Sequence, residues 1–174
     1  MPAARTRPVA LAVLALVVAS TLAFGQDAAS EPVTVTLESY VVGVETLDDG
    51  SIVERFDEAT SAFPGDTIEY RVIAVVSPGV DVPAGALTLV GPVPDGTEYL
   101  IGTATPTSDD VELEASLDGE AFDAPPLHVS ATDADGREVL VEADAAQYRV
   151  LRWLVVRPLA PGEGIAVTYR VVVR

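Results

Sequence analysis

The segment LAPGEGIAVTYRVVVR, residues 159–174, carries the pattern that decides the fold. Its first residues, Leu159 to Glu163, have the composition of a turn, and apolar and polar side chains alternate from Gly164 onward. The apolar residues of this alternation are Ile165, Val167, Tyr169, Val171 and Val173. Because successive side chains of a strand point to opposite faces, the pattern predicts a β-strand with one buried face.

The same period of two recurs through most of the chain. Residues 33–41 and 67–72 each alternate apolar with polar side chains, and Asp-Gly pairs at 49–50, 118–119 and 135–136 mark tight reversals. Roughly eight to ten short strands with turn signals every 8–12 residues are typical of an antiparallel β-sandwich. No segment shows the period of an amphipathic helix longer than a turn or two, so we expect an all-β protein.

The first residues have the composition of an export signal. Arg5 and Arg7 form a short basic region, residues 9–24 are mostly apolar, and Ala23 to Gly25 fits a small-x-small cleavage site. We therefore expect a helical signal peptide over residues 1–25, cleaved after Gly25. An uncleaved membrane anchor is the alternative, but the apolar stretch is shorter than the roughly 20 residues that a spanning helix needs.

The rest of the chain is expected to form one domain. Residues 26–32 are predicted to be a short linker, and residues 33–174 a single β-sandwich domain. The sequence contains no Cys, so neither a disulfide nor a lipid-modified cysteine is available. We expect an exported protein, located in the periplasm, on the cell surface or outside the cell, with no membrane insertion after signal cleavage.

The mature chain would be strongly acidic. All ten positive side chains are Arg, and two of them lie in the signal, so eight Arg against 27 Asp and Glu leave a formal net charge of −19. Such a surface repels nucleic acid and anionic lipid and attracts cations or basic partners. It also keeps an exported protein soluble, which is a sufficient reason for the acidic composition.

Four short segments occur in the order of a known family. They are PGDTIEY at 64–70, VPDGTEY at 93–99, RW at 152–153 and LAPGE at 159–163. Together they resemble the signature segments of the conserved repeat domain of bacterial and archaeal surface proteins, catalogued as domain of unknown function 11. The resemblance implies an immunoglobulin-like β-sandwich of the cell envelope, usually in tandem arrays, without established catalytic residues.

The sequence departs from that family at two turns and in copy number. Ser77-Pro78-Gly79 stands where the family often has Asn-x-Gly, and Gly91 where it often has an acidic residue. The module also occurs once, so a stalk of repeats does not follow. Independently of the family, Trp153 is expected to anchor the core, because aromatic side chains bury large areas between sheets.

Catalytic residues are not expected. His128, Ser130 and Asp133 offer a base, a nucleophile and an acid, but they are neighbours in sequence, whereas a working triad is assembled from separate elements. Many carboxylates leave a small envelope hydrolase as an alternative, although that mechanism needs a cleft that positions two carboxyl groups.

Calcium is the other chemical alternative. Candidate ligands are Asp109, Asp110, Glu112, Asp133 and Asp135. However, Gly136 follows Asp135 directly, so the spacing of an EF-hand loop is not met, and charged hairpin turns are the expected role of these residues. No cofactor is expected; a calcium-stabilised surface or adhesion domain remains the alternative.

The sequence thus predicts a non-enzymatic module with a structural or protein-interaction role, whose partner is a protein or an envelope component. The last strand is a candidate docking edge, because Ala166, Thr168 and Arg170 alternate with its buried residues and no further element follows it. Arg170 and Arg174 would then oppose unwanted strand pairing. The identity of the partner and the oligomeric state are left open by the sequence.

Overall fold

The computed structural model describes residues 31–106 and 110–174, and it confirms the all-β class. The ten strands are β1 Val33–Thr46, β2 Ile52–Glu58, β3 Thr67–Val76, β4 Leu87–Pro92, β5 Thr97–Tyr99, β6 Val111–Ser116, β7 His128–Thr132, β8 Glu138–Glu142, β9 Val150–Val155 and β10 Gly164–Val173. A short 3₁₀ turn, Ala145–Gln147, precedes β9. The predicted signal peptide and most of the predicted linker lie outside the described residues.

The strands form three antiparallel sheets. The largest has the order β2-β1-β3-β10-β5, the second has the order β4-β9-β6, and β7 pairs with β8 in a separate hairpin. Register places the apolar residues of neighbouring strands side by side: Val72 of β3 lies between Leu37 of β1 and Val167 of β10. Within residues 31–106 and 110–174, no helix has the length and apolar character needed to cross a membrane.

The two larger sheets pack face to face in a β-sandwich-like arrangement. Trp153 of β9 and Tyr169 of β10 are fully buried, and their ring centroids lie 5.8 Å apart between the sheets. The Tyr169 hydroxyl donates a hydrogen bond of 2.6 Å to the carbonyl oxygen of Pro92 at the end of β4. The prediction that Trp153 anchors the core is therefore confirmed.

The contact between the sheets requires glycine at position 91. A Cβ atom built on Gly91 would lie 2.5 Å from Cε1 of Tyr169 and 3.0 Å from Cζ3 of Trp153. Neither ring has room to move, because both are enclosed in the core. This contact gives a physical reason for glycine at a position where the resembling family often has an acidic residue.

The Tyr70 hydroxyl and Nε1 of Trp153 are buried in the core and have no hydrogen-bond partner among residues 31–106 and 110–174. Tyr70 of β3 stacks on Tyr169, with ring centroids 5.2 Å apart. Burial raises the pKa of both phenols, so both hydroxyls remain protonated at neutral pH. The two tyrosines are chemically alike but differ in that only the Tyr169 hydroxyl has an acceptor.

Two sequence-based expectations about strands are wrong. The last strand, β10, is not an edge: it lies between β3 and β5, and its Thr168 also pairs with Thr105. The pattern of residues 98–105 also predicts a strand, with Tyr99 and Ile101 on one face. Only β5 forms there, and Ile101 is an exposed turn residue that does not share a buried face with Tyr99. Alternation alone does not report where a strand lies within its sheet.

Replacing each tyrosine by phenylalanine is expected to have opposite effects. Tyr169→Phe removes the hydrogen bond to Pro92 and should lower the free energy of unfolding by about 1 kcal/mol. Tyr70→Phe removes a buried hydroxyl without a partner and should leave stability unchanged or raise it by up to about 1 kcal/mol. Urea unfolding of both variants measures this, and an equal loss in the two would contradict the described hydrogen bonding.

Gly91→Ala is expected to destabilise the protein by about 1–3 kcal/mol, because the added methyl group would overlap the enclosed Tyr169 and Trp153 rings and strain the core. Gly43→Ala is the matched control, since this strand glycine has only the Arg55 carbonyl oxygen near its added Cβ, at 3.9 Å. Alanine is tolerated in such a strand, so the control should unfold at the wild-type temperature or slightly above it. Similar melting temperatures for the two variants would refute the tight approach at residue 91.

Candidate interaction surface

The end of β1 and all of β2 form a hairpin arm, which we define as residues 42–58. β1 pairs with β3 over residues 33–41, then continues and pairs with β2 over residues 40–46. Every residue of β2 is exposed. The arm is therefore an extension of the large sheet, and none of the described strands pairs with the outer side of β2.

Apolar side chains of the arm are open to solvent. Val44 is 77% exposed and Ile52 is 72% exposed, whereas core-facing aliphatic residues such as Val72 of β3 and Val167 of β10 are buried. Leu47 and Val53 are also exposed, so the apolar residues concentrate toward the tip of the arm. Such a group of exposed apolar side chains is typical of a surface that contacts another molecule.

Acidic side chains surround these apolar residues. They are Glu45, Asp48, Asp49, Glu54, Asp57 and Glu58. The arm contains a single positive residue, Arg55, and this side chain pairs with Asp57 at 2.6 Å. The arm thus concentrates part of the negative charge of the chain, and its field favours a cationic partner.

The tip of the arm is a well-formed turn. The Leu47 amide donates to the Ser51 carbonyl at 2.8 Å, and Gly50 supplies the positive φ of 81° that this reversal needs. The Asp49 carboxylate accepts hydrogen bonds from both the amide and the hydroxyl of Ser51, and the hydroxyl contact comes first among the causes that lower the Asp49 pKa. The Asp49-Gly50 reversal predicted from the sequence is confirmed.

A set of charged and aromatic residues, which we call the anchor cluster, holds the arm against the outer face of the large sheet. Its members are Tyr40, Glu54, Phe56, Glu69, Arg71 and Arg170. The Arg170 guanidinium donates two hydrogen bonds of 2.7 Å to Glu54 of the arm and one of 2.9 Å to Glu69 of β3. This bidentate geometry fixes the orientation of β2 relative to β10.

Arg71 completes the anchor cluster from β3. Its guanidinium lies 4.5 Å from the ring centroid of Tyr40 and 4.8 Å from that of Phe56, and it donates a hydrogen bond of 2.8 Å to Glu69. The Glu69 side chain is only 8% exposed. A buried carboxylate is stable when it is paired, and two arginines pair with this one.

The Glu54–Arg170 contact makes the anchor cluster dependent on pH. Hydrogen bonding to Arg170 lowers the pKa of Glu54 from its ordinary value of 4.5, and the Glu54 contact raises the pKa of Arg170. Because the folded pKa of Glu54 is depressed, its contribution is complete above pH 4.5 and is lost as the pH falls through the folded value. The arm is therefore held by full charges throughout the neutral range.

The three residues weighed as a triad and rejected, His128, Ser130 and Asp133, lie in one hairpin and its turn. His128 and Ser130 are exposed residues of β7, opposite Glu142 and Leu140 of β8. The Asp133 carboxylate instead accepts hydrogen bonds of 2.9 Å from the amides of Asp135 and Arg137 in the turn after β7. No hydrogen bond joins the three residues within the described part of the molecule, so they serve a hairpin and its turn.

An open pocket of about 280 Å³ lies beside this hairpin, lined by Leu117, Asp118, Ala121, Phe122, Asp123, Leu127 and His128. Its carboxylates are committed to the backbone: Asp118 accepts from the amides of Glu120 and Ala121, and Asp123 accepts from Ala124. The hydrogen bond from Glu120 is the first cause of a lowered Asp118 pKa. The two acids that line the pocket therefore stabilise the turns to which they belong.

The calcium candidates lie in separate places. Glu112 is an exposed residue of β6, Asp110 lies 3.8 Å from Arg157, and Asp135 lies 3.6 Å from Arg137. Asp109 lies outside the described residues. Among residues 31–106 and 110–174, no group of three or more potential ligands is arranged to hold a metal ion. The acids near Asp133 form a hairpin turn, as the sequence favoured.

No protein-family model, curated protein or solved structure matched this chain when compared with it. The resemblance to the conserved repeat domain therefore stays a prediction from four short segments. The support for the candidate interaction surface is therefore the geometry of the structure.

Sequence reasoning found the hairpin but missed the anchor cluster and the exposure of the arm. One signal was available: Ile52 and Val53 are adjacent apolar residues in a strand of seven, so one of them must face away from the core whichever way the strand turns. The contact between Arg170 and Glu54 joins residues 116 positions apart, so no local sequence pattern indicates it. The sequence-based interpretation of Arg170 and Arg174 as guards of an open edge is wrong, because β10 lies between β3 and β5.

Arg170→Met is expected to loosen the arm and to lower the free energy of unfolding by about 1–2 kcal/mol, because it leaves Glu69 with one partner and Glu54 with none. Arg55→Met is the matched control on the same arm, where an exposed pair with Asp57 contributes about 0–1 kcal/mol. Urea unfolding and amide exchange of residues 42–58 provide the measurement. Equal effects of the two substitutions would show that the anchor cluster does not hold the arm.

Proposed function

We propose that this chain is an exported, non-enzymatic β-sandwich module that binds a protein or envelope component through its arm. The observation that carries the proposal is the contrast between a closed core and an arm whose aliphatic side chains, Val44 and Ile52, are more than 70% exposed. The anchor cluster holds these side chains outward at defined positions, so a partner meets an ordered surface. Preorganisation of this kind lowers the entropic cost of binding.

Location outside the cytoplasm is the second part of the proposal. It is supported by the basic and apolar composition of residues 1–25, the lack of cysteine and the predominance of acids over arginines. In this setting the module would act in the periplasm, on the cell surface or in the medium. Its role is structural or adhesive, and the partner supplies the positive charge that the arm lacks.

Membership of the conserved repeat domain family is proposed in a restricted form. The sandwich-like packing of the sheets β1-β3-β10-β5 and β4-β9-β6 supports it, because four and three strands face each other as in an immunoglobulin constant domain. The connections differ from that domain, since the last two strands of an immunoglobulin sandwich share a sheet, whereas β9 and β10 lie in different sheets. We therefore propose an immunoglobulin-like architecture with its own strand order.

Site-specific photo-crosslinking in cells that express the full chain tests the proposed function. A photoreactive amino acid at Ile52 is expected to yield a crosslinked species of defined mass in the envelope or extracellular fraction. Leu140 is the matched control, because it is 73% exposed against 72% for Ile52 but lies on the separate β7–β8 hairpin. Retention of the chain in the cytoplasm would overturn the export proposal, and equal crosslinking from both positions would overturn the arm as the binding surface.

A further inference from the structure

Hydrogen bonds at the two ends of the hairpin show which backbone groups of β2 face β1 and which face outward. The Leu47 amide bonds to Ser51 at the tip, and the Ala59 amide bonds to Ser39 at the base. Hydrogen-bonded and non-bonded pairs alternate along an antiparallel ladder, so Val53, Arg55 and Asp57 direct their backbone groups toward β1. The amides and carbonyls of the intervening residues 52, 54 and 56 therefore point away from the sheet.

The other outer edges of the two large sheets are shorter, interrupted or covered. β5 has three residues, and β4 ends at Pro92, which has no amide hydrogen to donate. At the outer edge of β6, Ala115 exchanges two backbone hydrogen bonds with Asp123. Among the described residues of these sheets, β2 is the longest open edge, with seven residues and neither proline nor glycine.

We propose that β2 accepts an extended segment of the partner as an added strand, and that this segment alternates Lys or Arg with apolar side chains. This inference rests on the proposed function and names its binding mode. Main-chain hydrogen bonds to the open edge would supply affinity, and side chains on alternate faces would supply selectivity. The arm contributes apolar contacts beside Ile52 at its tip and the exposed carboxylate of Glu58 near its base.

Charge decides between a foreign segment and a second copy of this chain. Six acidic residues and one arginine lie on the arm, so two arms placed edge to edge would bring like charges together. A segment with positive side chains instead meets opposite charges and is steered toward the edge. The partner strand is therefore cationic, and self-pairing of β2 is disfavoured.

Synthetic peptides test this inference without knowledge of the natural partner. The probes are seven-residue peptides, the length of β2, in which Val or Ile alternates with Lys, and matched peptides with Glu in place of Lys. At low ionic strength the Lys peptides should bind about tenfold or more tightly than the Glu peptides. Binding should slow amide exchange at residues 52, 54 and 56, whose amides are open in the free protein.

Two variants at one position separate backbone pairing from side-chain contact. Ile52→Pro removes an outward amide while sparing the ladder with β1, and should weaken Lys-peptide binding about tenfold through the lost hydrogen bond and the altered edge. Ile52→Thr keeps the amide and the β-branched shape and should weaken binding less. Both should keep the wild-type melting temperature within a few degrees, because residue 52 packs against no core residue.

Three outcomes would overturn the inference: no binding of the Lys peptides, equal binding of the Glu peptides, or protection at residues away from β2. A dimer joined through β2 in sedimentation experiments would also overturn it, in favour of a second copy. The proposed function can hold even if strand addition is wrong. If Ile52 crosslinks a partner in cells and Ile52→Pro does not reduce crosslinking from Val44, the arm binds by its side chains and only strand addition is lost.

Discussion

The fold depends on the close approach of two sheets at Tyr169, Trp153 and Gly91. The rings fill the space between β10 and β9, and the missing side chain of Gly91 lets β4 come near enough for the Tyr169 hydroxyl to reach the Pro92 carbonyl. Aromatic burial supplies a large part of the cohesion of a core that contains no disulfide. The strand that carries Tyr169, β10, lies inside the large sheet, with β3 on one side and β5 on the other.

The placement of β10 determines what the outer face of that sheet can do. Alternate residues of β10 point away from the core, so Arg170 emerges at the centre of the outer face, next to Glu69 of β3. From there it reaches Glu54 and ties the arm to the sandwich. Core packing, charge pairing and the presentation of the arm are thus linked through the two faces of one strand, Tyr169 on one side and Arg170 on the other.

The class of fold and the major turns could be predicted from the sequence, because they depend on local patterns. Period-two alternation identified β3 and β10, and Asp-Gly pairs located the reversals after β1 and β7. The position of β10 within its sheet could not be predicted, because alternation reports burial of a face and carries no information on lateral neighbours. Short β5 was overestimated, because the apolar Leu100 and Ile101 belong to the turn that follows it.

The candidate site was less accessible to sequence reasoning than the fold. The exposure of the arm depends on how all the described strands are arranged, and no local sequence pattern contains that information. The acids considered as calcium ligands and the group around His128 are close in sequence, yet Asp133, which belongs to both sets, accepts hydrogen bonds from backbone amides of its own turn. Proximity along the chain is a weak guide to chemistry in a fold made of hairpins, since every tight turn needs such side chains.

The length of β1 gives the molecule a mechanical property. Residues 40 and 41 pair with β2 on one side and with β3 on the other, so the arm and the sandwich share one uninterrupted backbone. A pull on β2 along its axis loads the ladder between β1 and β3 in shear, with many hydrogen bonds resisting together, while a pull across it would unzip the arm bond by bond. A pull along the strand axis therefore meets more hydrogen bonds at once than a pull across it.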